Sequence, residues 1–294
     1  MVIKTAVIGA SGFVGGHLLQ AYRTTYPDSV GTGFTRSRQG VQYLDLCSPE
    51  IDCVALEASG HQAVLIAAAN ANIGYCERYP DAAHAVNVRG TLALVDSIAE
   101  TSMKVIFLSS DYVFDGRKGG YGDATPPNPI TEYGRHKATV ESQLPDHSDN
   151  WLVLRLSKVL GLDKGDGTLL DEIASSLTRA EPIRAATDQL FCPTLVADLV
   201  EAIINVQNRD LRGILNVCGP EATSRFELAA RLALELGVDA DLVEPVSLHD
   251  LDGMAGRPLN TTLICERLAI ESPTVFTPLE NSIRRVATNW GAAG

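Results

Sequence analysis

Several absences narrow what this chain of 294 residues can be. Basic residues are in deficit, 24 Lys and Arg against 36 Asp and Glu, a formal net charge of −12. The electropositive footprint of a nucleic-acid binder is therefore missing, and the charge balance implies an ordinary soluble surface. No apolar run approaches the roughly 20 residues that span a bilayer, and no charged-then-apolar leader opens the chain. Neither a membrane partner nor export is expected, and the protein reads as cytoplasmic. The six cysteines (Cys47, Cys53, Cys76, Cys192, Cys218 and Cys265) are scattered, without the close pairs of a zinc site or a redox motif, and read as small buried hydrophobes. The six histidines lack metal-ligand spacing, so no protein-built metal site is expected. Repeats and low-complexity tracts are absent as well. The length suffices for one large α/β unit, or a main domain with a smaller one appended.

What the chain does have begins at Thr5 to Leu18, TAVIGASGFVGGHL. A β-branched run (Val2, Ile3, Val7, Ile8) meets Gly9, Gly12 and Gly15, and a helical pattern of His17, Leu18, Leu19 and Tyr22 follows. In a strand–turn–helix unit such glycines allow a sharp reversal, let backbone amides approach a pyrophosphate, and let helix and strand pack closely. The helix N-terminus then faces the anion. Gly9, Ser11, Gly12, Phe13 and Val14 are accordingly candidate cofactor-binding residues. A second strand, Asp28 to Phe34, runs into Thr35-Arg36-Ser37-Arg38. NAD-preferring dinucleotide folds place a carboxylate near this point, whereas arginine accommodates a 2′-phosphate, so Arg36, Ser37 and Arg38 favour NADP(H) over NAD(H).

Further along, Val41 to Leu46 reads as a strand, and Ser48-Pro49-Glu50 as the opening of a helix reaching about Ser59. His61 to Ala69 is an apolar run ending in small residues, as in a buried parallel strand. Helical periodicity covers Asp81 to Thr101, and the strand Lys104 to Leu108 leads into Ser109-Ser110-Asp111. This alternation implies an α/β fold, a Rossmann-type doubly wound parallel sheet whose ligands bind beyond the carboxyl ends of the strands. Gly9 to Gly16, Ala67 to Ala69 and Ser109 to Asp111 all fall at such ends. The Gly- and Pro-rich stretch from Asp115 to Pro129 reads as a flap over the site. It delivers a helix starting at Thr131-Glu132-Tyr133-Gly134-Arg135-His136-Lys137, followed by the strand Trp151 to Val159. Helices are also read at Leu169 to Leu177, Leu195 to Val206, Ser224 to Leu236 and Leu279 to Trp290. The expected organisation is a dinucleotide-binding domain over 1–160, rejoined by 187–217, and a smaller, discontinuous C-terminal substrate lobe formed by 161–186 and 218–294.

Tyr133 and Lys137 are four residues apart, so on a helix they share a face. A phenol with a reference pKa of about 10 becomes a more useful acid or base near neutrality when a neighbouring ammonium stabilises the phenolate. A hydroxyl from a strand end, Ser110 or its neighbour Ser109, could hold a carbonyl oxygen. Together these groups would polarise a C=O toward hydride from a reduced nicotinamide.

With Gly9-x-x-Gly12-x-x-Gly15, FLSSDYVFDG (Phe107 to Gly116), Tyr133-Gly-x-x-Lys137, VLRLSKVLG (Val153 to Gly161) and DQLFCPT (Asp188 to Thr194), the chain resembles an extended short-chain dehydrogenase/reductase, and most the dTDP-4-dehydrorhamnose reductase family. The resemblance implies a reductase of a nucleotide-activated 4-keto-6-deoxy sugar. It makes Ser110 the catalytic hydroxyl, Tyr133 the proton donor and Lys137 the residue that holds the nicotinamide ribose and lowers the tyrosine pKa. It sets Asp45 and Leu46 near the adenine, Ala67, Ala68 and Ala69 along the cofactor, and Asn87 in the supporting network. Ser110, Asp111, Lys158 and Arg257 become substrate contacts. Lys158 stands where family members often carry an aromatic residue, and a carboxylated substrate or solvent could meet it. Some relatives use Mg2+ to bridge subunits, which leaves Mg2+ and a homodimer open. Two other readings share these residues: an epimerase or dehydratase that recycles its NAD(P), and a regulatory subunit that binds NADP(H) without turnover.

Overall fold

The computed structural model describes residues 2–34, 39–254 and 256–291. Its first half alternates β1 (Thr5–Ile8), α1 (Phe13–Thr25), β2 (Gly31–Gly33), β3 (Gln42–Tyr43), α2 (Cys53–Ala58), β4 (Ala63–Ile66), α3 (Ile73–Arg78), α4 (Pro80–His84), α5 (Thr91–Ala99), β5 (Lys104–Ser110), α6 (Glu132–His147) and β6 (Trp151–Leu156). The second half carries β7 (Val159–Leu160), α7 (Leu169–Thr178), β8 (Ile183–Ala186), β9 (Leu190–Phe191), β10 (Thr194–Leu195), α8 (Val196–Asn208), β11 (Gly213–Val217), β12 (Thr223–Ser224), α9 (Arg225–Leu236), β13 (Val243–Val246), α10 (Glu266–Glu271) and α11 (Leu279–Gly291).

Seven strands make one parallel sheet in the order β11-β6-β5-β4-β1-β2-β3. Every residue of β1 and β4 is buried, which is why these runs are unbroken rather than alternating: helices cover both faces. On one face Val64, Phe107 and Val153 pack with Val95, Ile98, Val140 and Leu144. On the other, Leu65, Ile106 and Leu154 pack with Leu18, Tyr22, Leu199 and Ile203. The strand order reverses between β1 and β4, so a crevice opens beyond their carboxyl ends. A third cluster, including Leu170, Ile173, Leu228, Leu232, Ile283, Val286 and Trp290, joins α7, α9 and α11 into a separate lobe. Helix α9 is well bounded, with a capping box of Ser224 and Glu227 at its start and left-handed Gly237 at its end.

Three segments differ from the sequence reading. Helix α2 starts at Cys53 rather than at Ser48-Pro49-Glu50, because the Asp52 carboxylate accepts from Ala55 N and so supplies the cap. Asp81 to Thr101 is not one helix: a π-helical turn, Ala85–Gly90, interrupts it, and α3, capped by Asn72, precedes it. The stretch 115–129 is not a loose flap but a tied loop. Asp115 accepts from Tyr121 Oη (2.6 Å) and Asn128 Nδ2 (3.1 Å), Tyr121 stacks on Phe114 at 4.2 Å, and Asp123 Oδ1 accepts from Asn216 N.

The deepest polar contact is the pair Arg155–Glu141, at 2.7 Å with side chains 1% and 2% exposed. Arg155, on β6, gives Nη2 and Nε to the Glu141 carboxylate on α6. Its Nη1 donates to the carbonyls of Asp123 and Thr125, and Ser109 Oγ donates to the same carboxylate at 2.5 Å. Strand, helix and loop are thereby set relative to one another. Arg155→Met, which leaves Glu141 charged and unpaired, should cost about 3–5 kcal/mol in urea unfolding, and pairing it with Glu141→Leu should recover most of that loss.

Candidate active site

The crevice at the switch point holds a cavity of about 660 Å³ lined by Gly9, Ser11, Gly12, Asp45, Leu46 and Ala67 to Ala69, among others. Gly9 adopts φ +96°, and a Cβ there would fall 2.5 Å from Ala68 N. At Gly15 a Cβ would fall 2.3 Å from the Gly9 carbonyl. Backbone therefore packs on backbone at both positions, and the N-terminal end of α1 is brought to the cavity beside Gly12, its N-cap. Phe34 and Tyr75 also line this cavity, and neither was singled out from the sequence. Phe34 is exposed and lies 5.8 Å, ring to ring, from Tyr43.

The remaining cofactor-binding candidates are placed differently. Phe13 and Val14 do not line that cavity: the Phe13 ring meets His17 edge-on at 4.8 Å, and Val14 packs on the core under α1. Asn87, in the π-helical turn, clamps Asn70 instead, accepting from its N at 2.7 Å and donating to its carbonyl at 3.0 Å. The turn aims Asn87 inward, where it shapes the segment after Ala69. Arg36, Ser37 and Arg38 lie outside the described residues.

Beyond β5, Ser110, Asp111, Tyr133 and Lys137 converge. Gly134 makes this approach feasible, since a Cβ there would fall 2.1 Å from the Tyr112 carbonyl. The Ser110 hydroxyl donates to Asp111 Oδ1 at 3.0 Å and accepts from Tyr112 N at 3.2 Å, and it acts on the Tyr133 phenol to lower its pKa. Burial pushes the phenol well up from its usual value, with the Asp111 charge adding, while Ser110 pulls it down. Lys137 Nζ donates to the Leu108 carbonyl at 2.7 Å and sits 4.4 Å from the Phe107 ring centroid and 5.8 Å from that of Tyr133. Burial brings its amine down to about 8, with Glu141 opposing. In this arrangement the Lys137 amine is engaged by the Leu108 carbonyl, and burial is the largest influence on the Tyr133 phenol. Ser109, the other hydroxyl considered, is committed to Glu141.

Asp111 is 5% exposed and takes bonds from Thr261 Oγ1 (2.7 Å) and Ser157 Oγ (3.2 Å) as well as Ser110. It is a buried brace rather than an open contact, and burial pushes its carboxyl up.

Lys158 stands exposed just after β6, where desolvation by surrounding protein and then the Arg225 guanidinium lower its pKa. Arg225, at the start of α9, donates Nε to Gln189 Oε1 at 2.6 Å. Its own pKa is lowered by desolvation, with Arg257 adding to that and Tyr112 opposing. Arg257 donates Nη2 to the Gly253 carbonyl at 3.5 Å, its charge lowers the Tyr112 pKa, and its Nε is buried without a hydrogen-bond partner. The Arg225 and Arg257 charges thus act on Tyr112, and both also act on Lys158. Sequence reasoning missed Arg225 because nothing in Ser224-Arg225-Phe226 distinguishes it from any first-turn arginine. Among the described residues no group of three His, Cys, Asp or Glu could hold a metal ion, and no helix is long and apolar enough to cross a membrane.

A doubly wound parallel sheet with this glycine turn is a Rossmann-type α/β fold. More narrowly, the chain belongs to the RmlD substrate binding domain family, whose model matches residues 3–291. It is 28% identical over 271 residues to a dTDP-4-dehydrorhamnose reductase of Sinorhizobium fredii, covering 85% of this chain and 90% of that one. It is 26% identical over 289 residues to methionine adenosyltransferase 2 subunit beta of Danio rerio, covering 96% and 89%. In fold it is similar to a dTDP-4-dehydrorhamnose reductase from Bacillus anthracis solved with NADP, with a TM-score of 0.81, 21% identity, and 97% and 99% of the two chains covered.

A lysine whose amine falls from 10.5 to about 8 on folding is charged below that pH and neutral above it. Between the two values the unfolded chain binds more protons, so Lys137 makes stability rise with pH there. In NMR of side-chain-labelled lysine, one amine should titrate near 8, and Lys137→Met should remove that transition.

Proposed function

We propose that the protein is an NADPH-dependent reductase of a nucleotide-activated 4-keto-6-deoxy sugar. The observation that carries this reading is the convergence of Ser110, Tyr133 and Lys137 at the end of β5, with the glycine-lined cavity on the β1–β4 side and the mutually interacting cations Lys158, Arg225 and Arg257, the last two acting on Tyr112. A dinucleotide fits the cavity: its volume lies within the range of ligand pockets, and Gly12 and Ala67 to Ala69 leave backbone within reach of a phosphate. Gly9, Ser11 and Gly12 would hold the pyrophosphate, Asp45 and Leu46 the adenosine end, and Lys137 with Tyr133 the nicotinamide ribose. Arg36 and Arg38 would take the 2′-phosphate. When bound, the cofactor supplies the hydride, which goes to the sugar C4.

The phenol of Tyr133 stays protonated at neutral pH because burial disfavours phenolate, as a proton donor to a carbonyl requires. Ser110 orients the sugar oxygen against that phenol, and solvent at the partly exposed tyrosine restores the proton. Arg225 and Arg257 hold the diphosphate, a role supported by the partnerless, buried Arg257 Nε. The resemblance to dTDP-4-dehydrorhamnose reductases supports the sugar class. A second reading draws on the resemblance to methionine adenosyltransferase 2 subunit beta, in which the crevice would bind NADP(H) and serve a partner without turnover.

The deciding assay follows NADPH absorbance with dTDP-4-keto-6-deoxy sugar generated in place, with NADH in parallel. Oxidation, faster with NADPH, is expected; NADPH binding with no turnover favours the second reading. Tyr133→Phe should keep NADPH affinity and lose about 10²–10⁴-fold in kcat. Arg257→Met, by removing hydrogen bonds to a charged group worth about 1.5–3 kcal/mol, should raise KM for the nucleotide sugar roughly 10- to 150-fold with kcat little changed.

A further inference from the structure

We infer that Cys218 and Cys265 form a redox-active dithiol, which a hydroperoxide closes to a disulfide. The two residues are 47 apart in sequence, yet their Sγ atoms lie 3.3 Å from one another. Cys218 follows directly on β11, and Cys265 is the N-cap of α10. A third thiol, Cys192, is close by: the Sγ atoms of Cys192 and Cys218 each lie 3.8 Å from the Leu263 carbonyl. Three cysteines from three separate segments therefore share one spot behind the active-site loop.

The pair is also reachable. Cys265 is partly exposed and, with Cys218, Pro220, Leu268 and Phe276, lines a cavity of about 430 Å³. That is room for a small oxidant. The remaining cysteines lack this arrangement: Cys47 is exposed, with the Asp45 carboxylate as its charged neighbour, while Cys53 and Cys76 are buried with no thiol partner among the described residues.

The chemistry assigns different tasks to the two thiols. Cys265, partly exposed at the cavity, attacks, and the buried Cys218 beside it resolves. Cys265, as thiolate, attacks one oxygen of the hydroperoxide, breaking the O–O bond and forming a sulfenic acid. The departing oxygen takes the proton the thiol released and leaves as water or alcohol. Cys218 sulfur then attacks the sulfenic sulfur, the S–S bond forms, and a second water departs with the Cys218 proton. Two thiols lose two electrons in all, and the hydroperoxide gains them. The sulfurs need to close from 3.3 Å to roughly 2.0 Å. The link would tie the end of β11 to the segment that carries Arg257 and Thr261, the latter bonded to Asp111. It does not depend on the sugar assigned above.

The test treats the reduced full-length protein with a few equivalents of hydrogen peroxide, blocks free thiols, and maps peptides without reductant. The expected result is a loss of two of the six titratable thiols, a peptide pair joining Cys218 to Cys265, and recovery of both thiols with dithiothreitol. Cys265→Ser should abolish the link, whereas Cys192→Ala and Cys47→Ser should keep it. Should Cys265→Ser fail to fold, the wild-type peptide map and Cys218→Ala decide. Over-oxidation of Cys265 with Cys218 still free, or links running only through Cys47 or Cys192, would overturn the inference.

Discussion

The buried pair between Arg155 and Glu141 is the constraint on which the candidate site depends. Two charges in the interior lose hydration worth several kcal/mol each, so they persist only where geometry and extra hydrogen bonds compensate. Here compensation is extensive: two guanidinium nitrogens meet the carboxylate, Ser109 adds a third donor, and the remaining nitrogen reaches two loop carbonyls. Phe114 lies 5.0 Å from the guanidinium carbon, giving the cation an aromatic face as well. Because Glu141 is one helical turn beyond Lys137 and two beyond Tyr133, fixing it in place fixes the part of α6 that faces β5. An apolar pair could fill the same volume, but it would not tie helix, strand end and loop to a single register.

From that anchor the two sides of the crevice differ in kind. The β1–β4 side is built from backbone and small side chains, Gly9, Gly12 and Ala67 to Ala69, and offers amides and a helix end. The opposite side is built from long cations on separate elements, Lys158 after β6, Arg225 on α9 and Arg257 in the last long loop. Asp111 connects the two by accepting from Ser110, Ser157 and Thr261, residues of three segments. A carboxyl pushed up by burial, ringed by hydroxyl donors, serves there as a rigid junction.

How legible this was from sequence varied with the type of interaction. Strand and helix order was readable because buried parallel strands are continuous apolar runs, and α9 because its apolar stripe ends in a cap at both sides. The grouping of Ser110 with Tyr133 and Lys137 was readable from one helical turn and one strand end. Arg155 and Glu141 were not: a charged residue in Trp151–Leu156 reads locally as an intrusion, and only the tertiary partner explains it. The π-helical turn at Ala85–Gly90 escaped for a similar reason, since its apolar positions keep a helical period while the backbone widens to turn Asn87 toward Asn70. The three thiols at Cys192, Cys218 and Cys265 looked scattered because their spacings of 26 and 47 residues carry no local signal.

The cations on the substrate side bear on how selective the crevice can be. Like charges packed against one another destabilise an empty site, and desolvation lowers the pKa of both Lys158 and Arg225. An anion entering among them relieves that repulsion as well as adding its own attraction, so binding discriminates by charge before shape. Under the reading proposed above, the two guanidinium groups would take the diphosphate oxygens and Lys158, on which the Asp111 charge acts, would be left for the reacting end. An aromatic residue at that position would offer a neutral sugar a face to stack on. Under that reading, lysine would offer a point charge instead, which suits polar or anionic substituents on the sugar.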